Sequence, residues 1–83
     1  MNRVPPVWRV ALVEDNHQTR EFLESCIQGD RHLSLVASFA TLQPAQAWFR
    51  DHEADLLLVD LGLPDGSGLS LMTQVRQRWP HCD

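Results

Sequence analysis

The segment LLLVDLGLPDGSG, residues 56–68, is the strongest constraint on what this chain can become. Four apolar residues, Leu56 to Val59, are bounded on both sides by polar and turn-forming residues. A short unbroken apolar run of this kind predicts a strand buried on both faces, the pattern of a parallel sheet. Asp60 then falls at the carboxyl end of the strand, where open α/β sheets carry their ligands and chemistry. Asp60 is therefore expected to be a reactive carboxylate at the rim of a small sheet.

The remaining segments supply that sheet. Residues 1–6 are expected to be a tail, because Pro5 and Pro6 bar both helix and sheet interior. VWRVALV, residues 7–13, is rich in β-formers and predicts a first buried strand ending at Glu14-Asp15. Asn16 is placed to cap a helix from His17 to about Gln28, with Phe22, Leu23, Cys26 and Ile27 on one face. Gly29 should close it in a left-handed conformation. LSLVASF, residues 33–39, alternates and predicts a second strand nearer an edge. Thr41 can cap a second helix, with Pro44 in its first turn and Leu42, Ala45, Trp48 and Phe49 on its buried face. After the glycine-rich loop, Leu69, Met72, Val75 and Trp79 recur at helical spacing. A third helix from about Ser67 to Trp79 follows, with Ser67 at its start and Pro80 stopping it.

The order β-α-β-α-β-α implies an α/β fold with a parallel sheet and right-handed crossovers. With the first strand central, the strand order is 2-1-3. Glu14, Asp15 and Asp60 then meet at one edge, since neighbouring strands lie roughly 4.8 Å apart. Two such charges repel by about 3–4 kcal/mol at an effective dielectric near 20. A divalent cation with oxygen ligands neutralises them, and Mg²⁺ commonly takes one or two carboxylates plus water and phosphate. The plainer alternative is a solvated rim of strand-end acids.

Composition closes off other classes. The net charge of −4 argues against nucleic-acid binding through this segment. No apolar stretch approaches the length of a membrane span or a signal peptide. Cys26 and Cys82 lack metal-ligand spacing and read as thiols of a reducing cytosol. His17 follows the acidic pair but reads as a surface residue, as do His32, His52 and His81. Trp8, Trp48 and Trp79 read as core or interface packing. Arg76 and Arg78 suit the end of the third helix.

Glu14-Asp15-Asn16 after the first strand and DLGLPDGSG from Asp60 after the third resemble the receiver domain of bacterial two-component response regulators. The wording DLGLPDGSGLSLM is most similar to receivers of LuxR/NarL-type transcription factors. The resemblance runs from about Val7 to Asp83 and implies a flavodoxin-like, CheY-like sheet. It implies that Asp60 accepts a phosphoryl group from a sensor histidine kinase. It implies that Asp15 binds Mg²⁺ directly, that Glu14 acts through water, and that Asp60 and the backbone carbonyl of Gly62 complete the metal site. Pro64 and Gly68 would shape the loop. The implied protein is a cytoplasmic signalling module rather than an enzyme.

Three features of such domains have no match here. The resemblance leads one to expect a Ser or Thr ending a fourth strand, a Lys ending a fifth, and a DNA-binding output domain. All seven basic residues of this chain are arginine. Residues 7–83 are therefore read as the N-terminal part of a receiver, truncated before the fourth strand. An uncovered third strand invites pairing, so a homodimer or swapped oligomer through that edge is expected. A strictly monomeric folded species in sedimentation at high concentration would count against it. The competing reading is a non-phosphorylated pseudo-receiver serving as an interaction or dimerisation module. An aspartate-nucleophile phosphatase would carry a second Asp where Gly62 stands. A nucleotide-binding reading lacks a glycine-rich loop after the first strand.

Overall fold

The computed structural model describes residues 7–83, so the expected tail at residues 1–6 lies outside the described residues. Strand β1 (Trp8–Val13) is followed by helix α1 (His17–Gln28), β2 (Leu33–Phe39), α2 (Leu42–Asp51) and β3 (Leu56–Val59). A two-residue hairpin, β4 (Gly62–Leu63) and β5 (Gly66–Ser67), leads into α3 (Gly68–Arg78). The three long strands form a parallel sheet in the order β2-β1-β3, as expected. Val10 to Val13 pair with Leu56 to Val59 in unbroken register. That register sets the residues after the two strands, Glu14 and Asp60, side by side. Against β2 the register slips by one residue, from Val10–Leu35 to Ala11–Ala37, leaving Val36 as a bulge.

The core lies mainly between the sheet and α2 and α3. Ala11, Val13, Leu42, Ala45, Phe49, Ala54, Leu63, Leu71 and Val75 form one buried cluster, with Trp48 and Trp79 packed against it. Phe49 and Leu71 are fully buried, which stabilises the fold by about 1.5–3 kcal/mol each. The Trp79 indole donates Nε1–H to the Phe49 carbonyl at 2.7 Å, and Gln74 Nε2 donates to the Gln46 carbonyl at 2.9 Å. These two bonds tie α3 to α2. Helix α1 packs against β1 and β2 and contributes nothing to that cluster.

Several expectations are corrected. Strand β3 is not buried on both faces, because among the described residues nothing pairs beyond it and Leu58 is 44% exposed. Among the described residues its outer edge is met by Asp83, whose N–H donates to the Asp55 carbonyl at 2.9 Å and whose carbonyl accepts from Leu57 N at 3.1 Å. Helix α3 buries Gly68, Leu71 and Val75 and leaves Leu69 and Met72 exposed. Both stripes fit the sequence, but the inward one is set by Gly68, where the helix touches the sheet. In α1 only Ile27 is buried, while Phe22 and Cys26 face solvent. Trp8 is exposed at the open end of β1. Gly29 keeps a right-handed helical φ of −79°. Its N–H bonds Ser25 O, and an Asp30 side-chain turn, with Oδ1 accepting from His32 N at 2.8 Å, redirects the chain instead.

Thr41 stands at the start of α2, but its side chain makes no capping bond. Asp65, from the β4–β5 turn, reaches across instead. Its two carboxylate oxygens accept from Leu42 N at 2.7 Å and Gln43 N at 2.9 Å. These bonds satisfy two of the helix's orphan donors and set a negative charge at its positive end. They also hold the Asp65 carboxyl below its ordinary value of 3.8. A depressed carboxyl stabilises the fold above the unfolded value, and the contribution is lost as pH falls through the folded value. We expect Asp65→Asn to lower the Tm at pH 7 and to flatten the loss of stability below about pH 4. Thermal melts across that range measure both, and an unchanged Tm would contradict the cross-loop cap.

Candidate functional site

The site grows from the two strand ends. Glu14 N donates to the Phe39 carbonyl at 3.0 Å and Asp60 N to the Val13 carbonyl at 3.0 Å. Each acid is thus fixed by the last rung of the sheet. Ligand atoms of Glu14, Asp15 and Asp60 all lie within 4.8 Å of one another. Glu14 and Asp60 are half-buried and Asp15 is exposed. The expected cluster of three carboxylates is therefore present.

Local bonds shape it further. One oxygen of Glu14 accepts from Asn16 N at 3.1 Å, and Asn16 Oδ1 accepts from Thr19 N at 2.9 Å, capping α1 as expected. Asp60 Oδ1 accepts from Gly62 N at 3.1 Å. Gly62 therefore sits against the site, and its residue pairs with Ser67 across the hairpin. Ser67 Oγ accepts from Leu69 N at 3.1 Å and caps α3. The first residue of that helix, Gly68, lies directly on the Asp60 backbone. A Cβ at position 68 would collide with the Asp60 carbonyl oxygen and come within 3.0 Å of Val59 Cγ2. Gly68 is thus the residue that lets a helix start against the strand end bearing Asp60.

Among the described residues no salt bridge reaches the three carboxylates. The ion pairs among the described residues are Arg9 with Glu53 and Asp55, while His17 Nε2 forms a polar contact with Glu21. His17, the histidine adjacent to the acidic pair, turns to Glu21 at 3.2 Å and is not in the cluster. An all-oxygen donor set with unbalanced negative charge suits a hard divalent cation such as Mg²⁺. An open groove of about 600 Å³ leads from Glu14 and Asp60 along Leu57 to Leu61, with Leu23 and Met72 at its sides.

Three contributors were not singled out by sequence reasoning. Arg20 donates from NH1 to the Glu14 carbonyl at 2.9 Å. Asp65 bonds α2, and the β4–β5 hairpin shapes what reads as a plain loop. Gly66 carries the one positive φ among the described residues, 152°, beside Leu42. The PDG wording signals a turn, but two-residue strands lie below what alternation can show.

Comparison with known proteins decides the family. The profile described as response regulator receiver domain matches residues 10–83. This chain belongs to the response regulator receiver family. The receiver is 39% identical over 75 residues to the virulence transcriptional regulatory protein PhoP of Salmonella typhimurium, covering 90% of this chain and 31% of that protein. It is 37% identical over 68 residues to the KDP operon transcriptional regulatory protein KdpE of Escherichia coli, covering 82% and 29%. With the transcriptional regulatory protein CitT of Bacillus subtilis, identity is 30% over 74 residues, covering 89% and 33%. The chain thus spans about a third of the length of these relatives. Among solved structures, the isolated receiver domain of RcsB from Salmonella enterica superimposes with a TM-score of 0.81 at 16% identity, covering 93% of this chain and 58% of that one. The response regulator domain of Thermotoga maritima CheB gives 0.80 at 20% identity, covering 89% and 55%. Those two likenesses show the CheY-like receiver fold.

Proposed function

We propose that this receiver accepts a phosphoryl group on Asp60 from a sensor histidine kinase, with Mg²⁺ held by Glu14, Asp15, Asp60 and the Gly62 carbonyl. The observation that carries this reading is the gathering of three carboxylates within 4.8 Å, in a family that receives phosphoryl groups, with no salt bridge to them among the described residues.

The chemistry follows from the placement. An Asp60 carboxylate oxygen attacks the phosphorus of a phosphohistidine. A P–O bond forms, the P–N bond breaks, and the imidazole leaves with the electron pair. Gly62 N–H holds Oδ1 and leaves Oδ2 for the attack. The sheet rung at Asp60 N and the contact with Gly68 keep the carboxylate at the mouth of the groove. Phosphoryl transfer depends mostly on positioning and charge neutralisation. Bound Mg²⁺ would supply the neutralisation. Glu14 and Asp15 make that cation necessary, because alone they repel an incoming phosphoryl group.

The chain takes up a group rather than turning over a substrate of its own, and it is not proposed as an enzyme. CitT, KdpE and PhoP are transcriptional regulatory proteins, which supports transcription control as the output of the whole protein; a cytoplasmic location fits that role. The wording DLGLPDGSGLSLM supports a LuxR/NarL-type output domain. The exposed apolar edge of β3 supports self-association there. No described helix is long and apolar enough to cross a membrane.

The test is incubation with a small phosphodonor or beryllium fluoride and Mg²⁺. Wild type is expected to be modified and Asp60→Asn to be inert. The proposed metal ligands all lie between residues 14 and 62, so Mg²⁺ binding should persist even where phosphoryl uptake by these 83 residues is slow. A wild-type chain that binds no Mg²⁺ at millimolar levels and takes no phosphoryl group would leave the pseudo-receiver reading standing.

A further inference from the structure

We propose that Arg20 is the positioning residue of the acidic site, fixing the Glu14-Asp15 segment through the Glu14 backbone. The inference rests on the metal-binding reading of that site. Arg20 is half-buried at the end of the first turn of α1. Its NH1 donates to the Glu14 carbonyl at 2.9 Å in a part-buried bond. Its NH2 lies 3.1 Å from His17 Nδ1. A guanidinium only donates, so Nδ1 accepts and the imidazole proton sits on Nε2. That nitrogen faces Glu21 Oε1 at 3.2 Å. A continuous chain of polar contacts thus runs from Glu21 through His17 and Arg20 to the peptide that joins Glu14 to Asp15.

The peptide is the pivot of the site. On its N-terminal side the sheet holds Glu14 N. On its C-terminal side Asn16 N bonds the Glu14 carboxylate, and Asn16 caps α1. The orientation of the peptide itself, and with it the direction of Asp15, is fixed by Arg20. Three like charges within 4.8 Å push this turn open when no cation is bound. Arg20 opposes that opening, so the ligands stay converged and the cost of gathering them is met before the cation arrives. Among the described residues Arg20 forms no salt bridge with the cluster.

Sign separates this role from simple electrostatics. If Arg20 acted only as a nearby positive charge, its removal would tighten cation binding. As a positioning residue, its removal weakens binding. The experiment is Mg²⁺ titration of the 83-residue chain by calorimetry, with amide hydrogen exchange measured on the metal-free protein. We expect Arg20→Met to weaken Mg²⁺ binding roughly tenfold, the worth of one charged, part-buried hydrogen bond. Exchange at Asp15 and Asn16 should accelerate in the same variant. Arg20→Lys keeps reach to a single acceptor and should weaken binding about two- to threefold. Unchanged or tighter binding in Arg20→Met overturns the proposal. If that variant is unfolded, Arg20→Lys carries the test, and wild-type affinity there overturns it. Failure of the underlying reading looks different: wild type itself binds no Mg²⁺, or Asp15→Asn binds it as well as wild type does. Either result removes the metal site and the role of Arg20 together.

Discussion

Gly68→Ala is expected to destabilise the receiver by about 1–3 kcal/mol, the usual cost of forcing a methyl group into filled space. For a domain of this size each kcal/mol lowers the Tm by roughly 4–8 °C. The added Cβ meets the Asp60 carbonyl oxygen, the Asp60 carbonyl carbon at 3.1 Å and Val59 Cγ2 at 3.0 Å. Two of these are backbone atoms, so no side-chain rotation relieves the clash. Either α3 lifts from the sheet or the end of β3 shifts. The better helix propensity of alanine offsets at most about 1 kcal/mol. Because the strand end carries Asp60, the same substitution should also reduce Mg²⁺ binding. Gly62→Ala is the control. A Cβ there meets nothing within 4 Å, so its Tm should stay within the scatter of neutral surface changes, about 0.5 kcal/mol. Thermal melts of the three proteins decide it, and a Gly68→Ala variant as stable as wild type would contradict the packing described for Asp60.

Asp15→Asn should reverse its effect on stability when Mg²⁺ is added. Without the ion, three carboxylates within 4.8 Å repel by about 1 kcal/mol per pair at the dielectric of water and about 3 kcal/mol at a dielectric near 20. Removing the exposed member relieves part of that, so metal-free Asp15→Asn should melt above metal-free wild type. With Mg²⁺ at about a hundred times its Kd, a ligand that binds only the folded state adds about 2.7 kcal/mol. Wild type should then melt higher by roughly 10–20 °C, while Asp15→Asn should barely respond. The two melting curves therefore exchange order. Parallel curves at every Mg²⁺ concentration would show that Asp15 is a solvated rim residue.

Much of this architecture is legible in the sequence, for physical reasons that name its limits. The strands and helices are punctuated by Asn16, Gly29, Pro44 and Pro80, so their order and ends follow from local chemistry. The site is legible because strand order alone brings Glu14 and Asp60 together, and the observed register sets them at adjacent strand ends. Facing is harder to read. Leu69, Leu71, Met72 and Val75 allow two overlapping stripes on α3, and only contact with β3 at Gly68 selects between them. Phe22 and Leu58 are apolar by sequence yet exposed here, because burial depends on what lies across from a residue. Asp65 and Arg20 escape a linear reading for a related reason. One bonds a helix 23 residues earlier in the chain, and the other acts on a backbone carbonyl that has no sequence signature.

Borohydride trapping identifies the side chain that takes the phosphoryl group, proposed to be Asp60. An aspartyl phosphate is a mixed anhydride, and borohydride reduces it to homoserine at the position that carried it. The chain is incubated with a phosphodonor and Mg²⁺, reduced, digested and read by tandem mass spectrometry. Homoserine at position 60, absent without Mg²⁺, is the predicted result. Homoserine at Glu14's neighbour Asp15 or at Asp65 in place of position 60, from protein that is folded and phosphorylated, would contradict it.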